Sequence, residues 1–220
     1  MMRTRIKICG LARPQDVVAA CRLDIDAAGF VCYEHSPRFV PPERLASLAS
    51  ELSPFVTPVL LFVNAARDQI EGALQAVPHA LLQFHGNESH RDCAQFGRPY
   101  VRAVAIAEGV DLLDSERQYP TASALLADAP SAAFGGSGRA FDWSSLPAVE
   151  RRCRPLIVAG GLDASNVGAA IGATRPYGVD VSSGVEAERG VKSEALMREF
   201  VAAVRAADAG IDHDEALRSA

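Results

Sequence analysis

The chain has no paired cysteines: Cys9, Cys21, Cys32, Cys93 and Cys153 form an odd set with no Cys-x-x-Cys spacing. That excludes a disulfide framework and predicts free thiols in a reducing compartment. Long apolar runs are also missing. The longest aliphatic stretch lies near positions 59–63, far short of the roughly 20 residues that a membrane helix requires. There is no basic excess, since 22 Lys and Arg stand against 27 Asp and Glu, a net charge of −5. A nucleic-acid partner, which calls for a basic field, is not expected. No apolar core follows the basic residues of the first sixteen positions, so no secretory signal is expected. A soluble, cytoplasmic protein without membrane or nucleic-acid partners is the expectation.

What is present is the composition of an ordinary globular chain, 49% hydrophobic and 22% charged over 220 residues. At roughly 150 residues per domain this favours one large domain. Such a chain buries about 70% of its unfolded surface without a metal or disulfide staple.

Short apolar runs rich in β-formers alternate with amphipathic stretches along the chain. Strands are predicted at 5–9, 27–32, 57–63, 80–84, 101–106, 122–127, 156–159 and 179–181. Helices are predicted at 15–22, opened by Pro14, from Pro41-Pro42 to about 52, and at 67–76, 88–95 and 110–118. Three more are predicted from Ser144, at 164–172 and at 193–207. Eight strand–helix units imply a parallel sheet, and in about 200 residues they fit a single-domain (β/α)₈ TIM barrel. The barrel is expected over 1–208, followed by a polar tail at 209–220 that frays. An open doubly wound sheet is the rival, but Gly10-Leu11-Ala12-Arg13 after the first strand supplies no Gly-x-Gly-x-x-Gly fingerprint.

A barrel carries its chemistry at the C-terminal ends of its strands, and the residues there are distinctive. The first strand ends Lys7-Ile8-Cys9-Gly10, so period-two alternation puts Lys7 and Cys9 on one face and Ile6 and Ile8 on the other. A lysine beside a thiol lowers the thiol's pKa and makes a thiolate available. Arg38, in Ser36-Pro37-Arg38 after the second strand, offers a guanidinium fork for a carboxylate or phosphate. Gln83 and His85 share the inward face at the end of the fourth strand. No His/Cys cluster accompanies them, so no metal site is expected. Asp128 ends a sixth strand otherwise made of Ala and Leu, which recommends it as an acid/base group. Glycine turns follow the last three strands: Gly135-Gly136-Ser137-Gly138, Gly160-Gly161 and Ser183-Gly184. Loops after strands seven and eight are a recurrent phosphate site in this fold.

Taken together these pieces resemble the phosphoribosylanthranilate isomerase family. The carriers are Lys7-Ile8-Cys9-Gly10, Gly29-Phe30 with Ser36-Pro37-Arg38, Leu82-Gln83-Phe84-His85-Gly86 and Asp128 before Gly135-Gly136-Ser137-Gly138. They continue with Phe141-Asp142-Trp143, Ala159-Gly160-Gly161-Leu162 with Asn166-Val167, and the run from Gly178 through Asp180 to Glu186. The resemblance implies the Amadori rearrangement of N-(5-phosphoribosyl)anthranilate to 1-(2-carboxyphenylamino)-1-deoxyribulose 5-phosphate, a step of tryptophan biosynthesis. It implies no cofactor, a phosphorylated sugar–anthranilate as the small-molecule partner, and a monomer or homodimer.

For single residues the resemblance implies Cys9 as general base and Asp128 as general acid. Lys7, Arg38, Gln83, His85 and Asp180 would contact substrate, with Arg38 on the anthranilate carboxylate. Gly136, Gly160, Gly161, Ser183 and Gly184 would hold the phosphate. These roles require a protonated, raised Asp128 and a lowered Cys9. The histidine-pathway isomerase, which performs the same rearrangement on a bulkier substrate, and a non-catalytic phosphate-binding barrel are the alternative readings.

Overall fold

The computed structural model describes residues 3–130 and 141–218. Eight strands, β1 (Arg5–Cys9), β2 (Ala27–Val31), β3 (Thr57–Phe62), β4 (Leu81–Phe84), β5 (Tyr100–Ala105), β6 (Ala124–Asp128), β7 (Leu156–Val158) and β8 (Gly178–Val181), form a closed parallel barrel in sequence order. The ring closes through β8 and β1, with Arg5 opposite Gly178 and Ile8 opposite Val181. Helices α1 (Pro14–Cys21), α2 (Pro42–Ala49), α3 (Arg67–Ala76), α4 (His90–Ala94) and α5 (Leu112–Gln118) follow the first five strands. α6 (Val167–Thr174) follows β7 and α7 (Glu194–Arg218) ends the described chain.

Strand alternation builds two separate cores. Outward-facing Ile6, Ile8, Leu60, Phe62, Leu82, Phe84, Leu125 and Val179 pack against Val17, Leu45, Leu48, Ile70, Met197 and Phe200 of the helices. Each such fully buried side chain contributes about 1.5–3 kcal/mol. Inside the ring, Val101, Ala103, Ala124, Leu126 and Ala159 form one cluster, and Cys9, Val31, Leu61 and Val63 another, closer to the mouth.

Three departures from the sequence reading have physical causes. The helix expected from Ser144 is two short 3₁₀ turns, Trp143–Ser145 and Val149–Arg151. Pro147 lies between them and forces Leu146 into extended backbone (φ −78°, ψ 143°), which ends a helix before it begins. The last helix continues past Ala207 to Arg218, because no proline interrupts the run and a single Gly210 costs only about 1 kcal/mol. A small antiparallel pair, β9 (Glu186–Glu188) and β10 (Val191–Lys192), follows β8 and was not expected. Its strands are too short to show periodicity, and only the left-handed Gly190 (φ +85°) marks the turn.

Candidate active site

The mouth of the barrel holds a cavity walled by Cys9 from β1, Arg38 from the β2 loop, His85 from β4, Asp128 from β6, Gly160 and Gly161 from β7, and Asp180, Ser182 and Ser183 from β8. Val31, Tyr33 and Leu61 form an apolar wall beside Cys9 and Arg38.

Inward alternation on β1 delivers Lys7 and Cys9 as expected, but Lys7 lies below the cavity wall. Its Nζ donates to Asp180 Oδ2 at 2.8 Å, and both side chains are 7% exposed. Burial depresses the Lys7 ammonium, yet Asp180 and Cys9 beside it outweigh that and hold its pKa above the usual lysine value. Burial pushes the Asp180 carboxyl up against the pull of Lys7, and Asp128 adds to the rise.

Burial likewise pushes the Cys9 thiol up, and this corrects the expectation that Lys7 lowers it. Lys7 does pull the thiol down, but its charge is already matched by Asp180, whose carboxylate works the other way. The surrounding Val31, Leu61 and Val63 supply the dry wall that disfavours a thiolate.

On β4 the inward side chains form a chain of contacts. Gln83 Nε2 lies 3.2 Å from His85 Nδ1, and His85 Nε2 lies 2.8 Å from Asp128 Oδ2. Asp128 Oδ1 accepts the Ala129 N–H at 2.8 Å. Gln83 is therefore one layer below the cavity, in contact with His85 rather than at the wall. The turn carrying His85 is fixed from behind by a buried ion pair. Glu88 accepts from the Asn64 N–H (2.6 Å), the Gly86 N–H (2.9 Å) and Arg102 (2.8 Å). Arg102 also donates to the carbonyls of Phe84 and Gly86, over the Tyr119 ring at 4.9 Å.

Arg38 reaches the cavity already half engaged. Its Nε and Nη2 donate to Glu186 at 2.6 and 2.8 Å, and Lys192 Nζ donates to the same carboxylate at 2.8 Å. Burial raises Glu186, but Arg38 and Lys192 overcome it and hold the carboxyl below its usual value. Arg38 Nη1 has no partner among the described residues. Lys192 also donates to the Ser182 carbonyl at 2.9 Å, and Ser182 Oγ donates to the Cys9 carbonyl at 3.1 Å. The β9–β10 pair thus ties the loops of β1, β2 and β8 together.

Glu186, Lys192, Ser182 and Tyr33 were not singled out as site residues by sequence reasoning. Tyr33 carried a signal, an aromatic continuing the inward face of Val31 past the strand end. Glu186 carried none, because its partner Arg38 is 148 residues away.

The expected phosphate loops converge on this cavity in part. Gly160 and Gly161 adopt left-handed backbone (φ +79° and +64°) that other residues take only with strain. Asn166 pins the turn, donating to the Gly161 carbonyl at 2.8 Å and accepting the Asp163 N–H at 3.0 Å. Ser183 lines the cavity. Gly184 lies behind it, where any Cβ would overlap the Leu162 carbonyl oxygen. Gly136 lies outside the described residues.

Gly184→Ala is accordingly expected to cost about 1–3 kcal/mol of stability, the usual penalty for overpacking. Urea unfolding measures it, and an unchanged midpoint would mean that the β7 and β8 loops separate freely.

Comparisons with known proteins agree with one another. The family model described as N-(5'phosphoribosyl)anthranilate (PRA) isomerase matches residues 6–203. The N-(5'-phosphoribosyl)anthranilate isomerase of Methylibium petroleiphilum is 49% identical over 214 residues, covering 97% of this chain and 100% of the relative. The crystal structure of phosphoribosyl anthranilate isomerase from Thermotoga maritima superposes with a TM-score of 0.83 at 36% identity, over 92% of this chain and 99% of that one. A further solved phosphoribosyl anthranilate isomerase, 31% identical with a TM-score of 0.76 over 92% and 99% of the two chains, is in complex with reduced 1-(o-carboxyphenylamino)-1-deoxyribulose 5-phosphate. The chain belongs to the N-(5'-phosphoribosyl)anthranilate isomerase family.

Proposed function

We propose that this chain carries out the family's aldose–ketose rearrangement with Asp128 as general acid and Cys9 as general base. The observation that carries the reading is their placement: both line one cavity, from β6 and β1, three strands apart around the closed ring. A sugar held between them can be protonated on one side and deprotonated on the other.

The chemistry requires that arrangement. Asp128 gives its proton to the furanose ring oxygen as the C1′–O bond breaks, and the nitrogen lone pair forms the Schiff base. The Schiff base acidifies the C2′ proton, which the Cys9 thiolate removes. The resulting enolamine tautomerises to the ketone. The substrate's own imine serves as electron sink.

The rest of the cavity suits the substrate's other parts. Val31, Tyr33 and Leu61 offer an apolar wall for the anthranilate ring, with Arg38 beside it for the carboxylate. The left-handed turn at Gly160-Gly161 and the Ser183 backbone bring N–H groups toward a phosphate. The unpartnered Oδ1 of Asp180 is a ready acceptor for a ribose hydroxyl. The relative's bound product analogue carries the same three chemistries: aromatic carboxylate, polyol and phosphate.

The test is the decay of anthranilate-type fluorescence when purified protein meets freshly generated phosphoribosylanthranilate. Rapid decay is expected, and a folded protein that produces none overturns the reading. Arg38→Ala is expected to raise KM roughly 10–100-fold with a smaller effect on kcat, since a hydrogen bond to a charged group contributes about 1.5–3 kcal/mol. An unchanged KM would remove Arg38 from carboxylate binding.

A further inference from the structure

One buried group next to the acid has no part in the steps above. Gln83 is 1% exposed on β4, and its Oε1 is buried without a hydrogen-bond partner. Its Nε2 meets His85 Nδ1 at 3.2 Å. Reversing the amide would set the oxygen against Nδ1 and strand the NH₂ group instead. An unpaired carbonyl is the less costly orphan of the two, so the observed orientation is favoured. With Gln83 donating to it, Nδ1 must be bare, and the proton of a neutral ring sits on Nε2. His85 therefore donates to Asp128 Oδ2 across the 2.8 Å contact rather than accepting from it.

This has a consequence for proton transfer. Both carboxyl oxygens then accept an N–H, Oδ2 from the His85 ring and Oδ1 from the Ala129 backbone at 2.8 Å. The transferable proton of Asp128 goes on the remaining lone pair of the oxygen that faces the cavity, Oδ1. That oxygen faces Gly160 on the cavity wall: a Cβ at 160 would lie 2.9 Å from it. In the other tautomer Nε2 would be an acceptor and would draw the acid's proton to Oδ2, turned toward His85 and away from the sugar. Asp180, on β8, is the other carboxylate whose field reaches this pair.

We infer that Gln83 is a positioning residue that locks His85 in the Nε2–H tautomer and so keeps the proton of Asp128 available on the oxygen facing substrate. The inference rests on Asp128 being the general acid.

The direct test is ¹⁵N NMR of the histidine rings in the full-length protein at pH 8, with His85→Asn identifying the His85 signals. A bare, pyridine-type Nδ1 and a protonated, pyrrole-type Nε2 are expected. An Nδ1–H tautomer or an imidazolium overturns the proposal. Gln83→Met keeps the length and apolar packing but removes the donor. It is expected to move proton population onto Nδ1 and to lower kcat by about tenfold or more, a fraction of what a general acid supplies, with KM nearly unchanged. Wild-type ring signals or wild-type kcat in that variant overturn the proposal as well. If the variant fails to fold, the wild-type spectrum decides alone. Full turnover in Asp128→Asn would remove the acid while leaving the tautomer assignment standing, so the two failures are distinguishable.

Discussion

Asp128→Asn is expected to lower kcat by about 10²–10⁴-fold, the usual contribution of a positioned general acid. Asn is isosteric, and its single carbonyl oxygen can keep one of the two acceptor contacts, to His85 at 2.8 Å or to the Ala129 N–H at 2.8 Å. The fold should therefore survive, and the loss should fall on kcat with KM little changed. Stopped-flow fluorescence with wild type and variant side by side measures it. Wild-type turnover in the variant would exclude Asp128 as the acid and direct attention to His85.

Cys9→Ala is the second substitution with a large expected effect. Removal of the base should cost a similar 10²–10⁴-fold in kcat, while affinity for a product analogue stays close to that of wild type. Alanine fits the site: the side chain is 5% exposed among Val31, Leu61 and Val63, and the cysteine forms no disulfide. The reaction needs a thiolate, and burial pushes the Cys9 thiol above its usual value. The thiolate fraction therefore grows with pH over the neutral and mildly alkaline range, and kcat/KM of wild type should rise with it, since a free cysteine titrates near about 8.5. A flat profile between pH 7 and 9, or a Cys9→Ala enzyme of normal kcat, would remove Cys9 from the chemistry.

Period-two alternation made the inward faces of several strands legible without any tertiary knowledge. Lys7 and Cys9, Gln83 and His85, and Asp128 after Ala124 and Leu126 all point into the ring as the pattern demands. The opposite faces had to pack on helices because they are Ile, Leu and Phe. The stretch from Ser144 was illegible for a local reason: its polar residues and Leu146, Ala148 and Val149 read as helix, and the backbone restriction at Pro147 overrode that propensity.

The Arg38–Glu186–Lys192 cluster was illegible for a different reason. A guanidinium fork in a loop reveals that an anion is wanted, not whether a ligand or the protein itself supplies it. Here Glu186 takes two of the donors. Likewise Lys7 beside Cys9 in sequence suggested an activated thiol, and only the fold brought Asp180 across from β8 to match the lysine's charge.

The sequence by itself thus determined the alternation of strands and helices, the single-domain barrel, and which side chains face the interior. Each of these is set by periodicity and burial within a few consecutive residues. The tertiary structure decided the electrostatics: which charges pair, in which direction the Cys9 thiol is pushed, and which nitrogen of His85 meets the acid. Those depend on contacts between strands that are neighbours only once the ring has closed. Burial there magnifies each pairing, because charges removed from water interact far more strongly with one another.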